Sequence, residues 1–356
     1  MVEITFEKYK GPRQPFQGAA GPRNAKLAIV GEAWGKDEDN VQAPFIGTSG
    51  QELTRLLEET GIKRWQCFLT NILAFRPTNN DLETLCVNKA TAGTMYSMPP
   101  LKQGKYLHPM FLPELERVKE ELQAVRPNLV LAMGNMAIWG LLYRTGISTI
   151  RGSISPCQLV PGLKVLPTFH PSAVLRNWSL RPVVSADLIK AKREMAFPEL
   201  RLPKRTVLVE PSLADIRAWI SKGASILGCD IETANKQITM IGFARSPSDA
   251  LVIPFVDSSK PQNSYWPSLA DELAAWHIVR DLLESDIPKV FQNGLYDLQY
   301  LYRMGIRPRA CKDDTMLLHH ALFPELQKGL GFLGSIYTNE QSWKLMRHHE
   351  TTKRDE

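Results

Sequence analysis

Apolar residues in the first 200 positions fall into short continuous runs separated by segments with helical spacing. The runs LAIVGEA, CFLTNILAF, NLVLAMG and LKVLPTFHP are bounded by glycine, proline or polar residues, as buried strands are. Between the first two, SGQELTRLLEETG opens on a serine, closes on a glycine and puts Leu53, Leu56 and Leu57 on one face. PELERVKEELQAVRP is a second amphipathic segment, ended by a proline, and a third helix is expected around residues 137–143. This alternation predicts a mainly parallel sheet with helices on both faces and a site at the carboxyl ends of its strands. The connection over residues 78–109 is unusually long, and a structureless loop of that length is expected to be functional or mobile.

The pattern changes near residue 200, where Pro198, Pro203 and Pro211 punctuate FPELRLPKRTVLVEP. Beyond it, ILGCDIETA, ITMIGFAR and ALVIPFV are apolar runs with short turns between them, an antiparallel meander. A helix over residues 269–284, the strand PKVFQNG and the helices LYDLQYLYRMG and DDTMLLHHALF follow. This order predicts a mixed α/β domain. MRHHETTKRDE reads as a polar tail, and the chain carries no repeat or low-complexity tract.

With 356 residues, the chain exceeds one comfortable core, so two domains are expected. Hydrophobic residues at 44% and charged residues at 22% exclude disorder as the main state. No apolar run approaches the roughly 18 residues that span a bilayer, and MVEITFEKYKGPRQPFQ lacks the apolar stretch of a secretory signal, so no membrane contact is expected. The cysteines Cys67, Cys86, Cys157, Cys229 and Cys311 are odd in number and scattered, which points to a reducing, cytoplasmic setting. The net charge of +6 resides wholly in residues 1–200, a bias that suits a polyanion partner without requiring one.

Four motifs sit at or just after strand ends: GEAWGKDED from Gly31, APFIGTSG from Ala43, TNILAFRPTNN from Thr70 and HPSAVLRN from His170. Together, over about residues 25–195, they resemble the uracil-DNA glycosylase superfamily, in particular its family 4 and phage-type relatives. That resemblance implies a three-layer parallel-sheet domain in which a base is flipped into a pocket. Phe45 would stack on the pyrimidine, Asn71 would read its Watson–Crick edge, and His170 would donate towards O2 of the leaving anion. Glu32 would position or activate water, and Arg176 would contact a phosphate. Family 4 members hold an iron–sulfur cluster on four cysteines. Residues 1–66 contain none and Phe75 stands at a usual cysteine position, so no cluster is expected. Trp34 replaces a smaller residue and is expected to narrow the pocket mouth. Lys89, Lys102, Lys105, Tyr96, Tyr106 and His108 in the long connection suit phosphate contact and base stacking.

In the second part, Asp230 and Glu232 form D-x-E on a strand, so both carboxylates point to one face. Such a pair is costly unless it binds a metal, and hard oxygen donors suit Mg²⁺ or Mn²⁺. Asp297, in FQNGLYDLQYL, falls on the first turn of a helix after a strand. With DDTMLLHHALFPELQKGLGFLGSIY, these segments resemble the RNase H-like 3′–5′ exonuclease domain of family A DNA polymerases over about residues 205–345. The resemblance implies that Asp230, Glu232 and Asp297 hold divalent ions and that Asn293 places the DNA end. Asp314 reads as a helix cap. The family's last motif, Tyr-x-x-x-Asp, is missing: four residues after Tyr337 stands Gln341.

The resulting expectation is an α/β chain with an N-terminal extension (residues 1–24), a glycosylase-like domain (25–197), a linker (198–206), a truncated exonuclease-like domain (207–345) and a polar tail (346–356). Fused in that order, the domains resemble the front of certain bacteriophage DNA polymerases. The partners implied are single-stranded or primer-template DNA and a separate polymerase-domain chain. A non-catalytic DNA-binding or processivity module that docks such a chain is the alternative.

Overall fold

The structure is a computed structural model and describes residues 8–93, 98–202, 204–260 and 262–340. The chain forms two compact units. The first comprises the described residues up to Leu202 together with those from Gly334 onward, and the second comprises the residues between them.

The elements of the first unit are β1 (Leu27–Ala33), α1 (Lys36–Val41), α2 (Thr48–Glu59), β2 (Cys67–Leu73), β3 (Cys86–Val87), α3 (Lys89–Ala92), β4 (Tyr106–Leu107), α4 (Pro113–Val125), β5 (Leu129–Met133), α5 (Asn135–Leu142), α6 (Ile147–Ile150), β6 (Ser155–Pro156), β7 (Lys164–Thr168), α7 (Pro171–Arg176) and α8 (Arg181–Glu194). The sheet runs β2-β1-β5-β7-β6. Its first four strands are parallel, and the short β6 is antiparallel to β7. Side chains alternate across the pleat. Ala28, Val30, Phe68 and Ile72 enter a core with Trp139 and Leu122. Leu27, Ile29, Leu69 and Leu131 enter a second core with Leu53, Leu57 and Leu188. Both faces are therefore buried, which explains why these strands read as unbroken apolar runs. β2 is an edge strand, and its outer edge needs partners. Ala20 exchanges backbone hydrogen bonds of 2.9 and 2.8 Å with Leu69 there.

The long connection is not structureless. Its described part holds the antiparallel pair β3–β4 and several helical turns. Lys102 bonds Asp81 and Lys105 bonds Glu83, each at 2.7 Å, so both cations are ion-paired within the connection. His108 caps a turn, accepting from the Met110 N–H at 3.1 Å, and Tyr96 lies outside the described residues.

The second unit contains β8 (Thr206–Leu208), α9 (Leu213–Ser221), β9 (Leu227–Ala234), β10 (Gln237–Ser246), β11 (Asp249–Pro254), α10 (Leu269–Glu284), β12 (Lys289–Phe291), α11 (Gly294–Arg303), β13 (Cys311–Asp314) and α12 (Thr315–Leu322). Its sheet order is β13-β12-β9-β10-β11-β8. β9, β10 and β11 form the expected meander, and β12 pairs parallel with β9 and β13. This is the mixed α/β unit that the order of its elements predicts. The edge strands β8 and β13 are not legible in the sequence, because TVL is too short and CKDD too polar to make an apolar run.

The helix α13 (Leu330–Tyr337) crosses the division. The sequence places the end of the second domain at 345, whereas the described residues from Gly334 pack with the first unit. Buried polar groups account for this. Lys190 of α8 is 4% exposed and donates to the carbonyls of Gly152 and Thr338, each at 2.7 Å, and Ser335, at 2.5 Å. Burial pulls its pKa down to about 8, with Asp187 opposing that shift. Arg151, ion-paired with Asp187, donates to Ser335 Oγ at 2.8 Å. Lys190→Met will leave these carbonyls buried without a donor. We expect a loss of about 2 kcal/mol in denaturant unfolding and new protease cleavage within residues 334–340. Unchanged stability and cleavage would show that the segment docks without Lys190.

Among the described residues, no helix is long and apolar enough to cross a membrane.

Candidate active site

In the first unit, the carboxyl ends of β1, β2 and β7 open onto a cavity of about 410 Å³ lined by Glu32, Trp34, Phe45, Asn71, His170 and Arg176, among others. This is where a parallel sheet presents ligand-binding residues. Just before the lining residue Glu32 stands Gly31, paired in register with Asn71. A Cβ at Gly31 would stand 2.6 Å from Phe45 Cζ and 2.7 Å from Asn71 Nδ2, so only glycine lets these side chains close over the strand.

Asn71 is 3% exposed. Its Nδ2 donates to the Ala33 carbonyl at 3.2 Å, and its Oδ1 is buried with no hydrogen-bond partner. An unmet buried acceptor costs about 1–3 kcal/mol, and in native proteins such deficits need a reason. The Phe45 and His170 rings are stacked, 6.1 Å apart at 24°. His170 caps α7: its Nδ1 accepts from the Ser172 N–H at 3.2 Å and lies 2.8 Å from Ser172 Oγ. Burial first, and the Arg176 charge second, lower its pKa to about 4. The ring is therefore neutral at pH 7, and with Nδ1 accepting, its proton sits on Nε2. Burial raises the pKa of Glu32, while Arg176 and Lys102 pull it back. Arg176 is exposed at the end of α7. Trp34 is 1% exposed, with the Arg13 guanidinium 4.6 Å from the ring centroid, so it is packed into the wall.

Sequence reading missed what holds Asn71. Glu114, Arg117 and Glu121 of α4 look like a solvated face, yet all three are at most 2% exposed. Arg117 donates to the carbonyls of Asn71 at 2.7 Å and Ile72 at 3.2 Å, on the open edge of β2. It also bonds Glu114 at 3.0 Å, Glu121 at 2.8 Å and Thr70 Oγ1 at 3.2 Å. The Ala74 N–H at 3.2 Å and the Tyr9 hydroxyl at 3.2 Å complete Glu114. Arg117→Met will strand two carboxylates in the core and cost about 3–5 kcal/mol, measured by denaturant unfolding. A loss below about 1 kcal/mol would mean that water reaches the network.

In the second unit, Asp230 and Glu232 share the exposed face of β9, while Cys229 and Ile231 face the core. Asp297, on the first turn of α11, is 3% exposed, and its Oδ1 accepts from the Ile231 N–H at 3.0 Å. The structure therefore brings Asp297 against the D-x-E strand. Burial, and then the negative charge of Asp230, push its pKa up to about 6. Asp314 is a cap. Its carboxylate accepts from Met316 at 2.8 Å, Gly294 at 2.7 Å and Asn293 at 3.1 Å. Asn293 is thus held through its backbone, in a left-handed conformation with φ of 60°.

The match that decides the family is the uracil DNA glycosylase superfamily model, which fits residues 19–196. The chain belongs to that superfamily. It is 32% identical to the type-4 uracil-DNA glycosylase of Thermotoga maritima over 176 residues, covering 48% of this chain and 79% of that protein. It is also 32% identical to the type-4 enzyme of Archaeoglobus fulgidus, covering 48% of this chain and 77% of that one. A second model, described as 3′-5′ exonuclease, fits residues 215–351. Among solved structures, Brucella melitensis NrnC with bound Mg²⁺ is 18% identical with a TM-score of 0.25, covering 38% of this chain and 61% of that one. The chain thus spans less than two thirds of that nuclease.

Type-4 members of the superfamily imply an iron–sulfur cluster, and the cysteines present do not fit one. The superfamily unit has three, in separate places. Cys67 lies in the core beside Leu53, Cys157 lies in the core beside Trp139 on the other sheet face, and Cys86 lies on β3. Burial pushes Cys67 and Cys86 up to about 11, away from the thiolate that iron requires. The oxygen donors Asp230, Glu232 and Asp297 fit a hard divalent cation in kind; the Asp297 pKa is raised by burial first and by the Asp230 charge second. Among the described residues, however, no three His, Cys, Asp or Glu side chains converge into a ready-made cage.

Proposed function

We propose that the first unit excises uracil from DNA. The observation that carries this reading is the Asn71 amide, buried at the pocket floor with Oδ1 unpartnered beside the stacked Phe45 and His170. A flipped uracil presents N3–H to Oδ1. Cytosine presents a lone pair there, which leaves the acceptor unmatched and repelled. Nδ2 keeps one hydrogen on Ala33 and has a second for O4. Phe45 supplies the stacking face. As the glycosidic bond breaks, charge moves to the uracil O2, and the neutral His170 offers Nε2–H as a preorganised donor. Glu32 orients the attacking water and opposes the cationic sugar electrostatically, and Arg176 at the rim meets the backbone phosphate. The test is a 5′-labelled single strand with one internal uracil, incubated with the protein and then with alkali. A band at the uracil position is expected, and full-length product alone would sink the reading.

A second activity is favoured by the Asp297–Ile231 bond, which pins the third carboxylate against Asp230 and Glu232. In this reading the unit binds a 3′ DNA end, Asn293 flanks it, and Asp230, Glu232 and Asp297 hold Mg²⁺ or Mn²⁺. A bound ion would supply an activated water and charge neutralisation at the phosphate. The setting we propose for both is bacteriophage DNA replication in the host cytoplasm, with a polymerase-domain chain as partner.

A further inference from the structure

Phe45 is the pocket residue with the least ordinary backbone: its φ is 56°, in the left-handed region that a side-chain-bearing residue avoids. Relaxed to an extended or right-handed conformation, the ring would leave its place over Gly31. Two groups outside the sequence-predicted site hold the backbone as it is. On one side, Arg64 donates from Nη2 to the Phe45 carbonyl at 2.8 Å. Its Nη1 reaches Thr54 Oγ1 at 3.2 Å and the Gly50 carbonyl at 3.4 Å, in the first turns of α2. On the other side, the buried Glu38 accepts with Oε1 from the N–H groups of Ile46 at 2.9 Å and Gly47 at 2.8 Å, while Oε2 accepts from Gly35 at 3.2 Å. Gly50 admits the close approach, since a Cβ there would stand 1.9 Å from the Phe45 oxygen.

We infer that Arg64 and Glu38 are positioning residues that clamp the strained Phe45 backbone from both sides and so preform the stacking face of the pocket. The functional consequence rests on the proposed uracil reading, whereas the clamp itself does not. Without it, Phe45 spends most of its time relaxed, and apparent substrate affinity falls by the fraction still competent.

The experiment compares wild type, Arg64→Met, Phe45→Ala and the double variant. Amide hydrogen exchange of peptides covering residues 43–50 is expected to rise about tenfold or more in Arg64→Met, with the rest of the unit unchanged. KM for a uracil-containing strand is expected to rise about tenfold with kcat within about threefold. Arg64→Met should add nothing further in the Phe45→Ala background, because the clamp acts through that ring. Unchanged exchange, or full additivity, overturns the clamp. Raised exchange in a chain whose wild type excises no uracil leaves the clamp standing and rejects the uracil reading. Should Arg64→Met fail to fold, Arg64→Lys keeps the charge but not the three-point reach, and the same exchange rise is expected at smaller size.

Discussion

Replacing Asn71 with alanine will lower kcat/KM for uracil excision by about a thousandfold while leaving the fold intact. The side chain makes one bond within the protein, to the Ala33 carbonyl, so its structural contribution is small. Its contribution to the reaction is larger, since Oδ1 and the second Nδ2 hydrogen address two edge positions of a base that leaves as an anion. The Nδ2–H bond to O4, an acceptor gaining charge, is worth about 1.5–3 kcal/mol and the N3–H bond to Oδ1 about 1 kcal/mol, and each 1.4 kcal/mol or so is a factor of ten. Alanine also removes the acceptor that disfavours cytosine, so discrimination should fall with rate. Single-turnover excision on uracil- and cytosine-containing strands measures both. A loss below tenfold would remove Asn71 from base recognition.

Magnesium will raise the melting temperature of the wild-type chain at pH 7 and leave that of Asp230→Ala unchanged. At about ten times its Kd an ion adds about 1.4 kcal/mol, or roughly 3–5 °C. The effect has a defined pH dependence. Asp297 has a pKa of about 6 in the folded state, against about 3.9 unfolded. In that window the folded state binds more protons, so without metal this group's contribution to stability is lost as pH rises from about 4 to about 6. The ion requires the carboxylate, so its stabilisation grows over the same range and levels off above about 6. Asp297→Asn should flatten both curves. Any trimming of a 3′ end should need the metal and vanish in Asp230→Ala. Trimming that survives Asp230→Ala would show that the carboxylates on β9 are not its ion site.

The pocket was legible where the chain signals strand ends. Gly31, Asn71 and His170 follow apolar runs, and a parallel sheet gathers the carboxyl ends of such runs in one place. The clamp on Phe45 was not legible: a left-handed φ at a phenylalanine leaves no mark in the sequence, and Arg64 lies 19 residues away from it. The network behind Asn71 was not legible either. The charged positions of α4 look like a water-facing side, and α4 buries them where Arg117 serves the carbonyls of Asn71 and Ile72.

The sequence by itself determined the two α/β layouts, the parallel first sheet, the meander of the second, and the residue types at both sites. These follow from the spacing of apolar positions and from turn residues, which are local properties. Only the tertiary structure decided that the described part of residues 78–109 carries its own ion pairs, that Asp297 sits on Ile231, and that the described residues from Gly334 pack in the first unit although the exonuclease family model runs through them to residue 351. For Asp297 and for the stretch from Gly334, a buried polar group must find a partner far along the chain. Lys190 found its acceptors 145 and 148 residues away, a distance that no local pattern encodes.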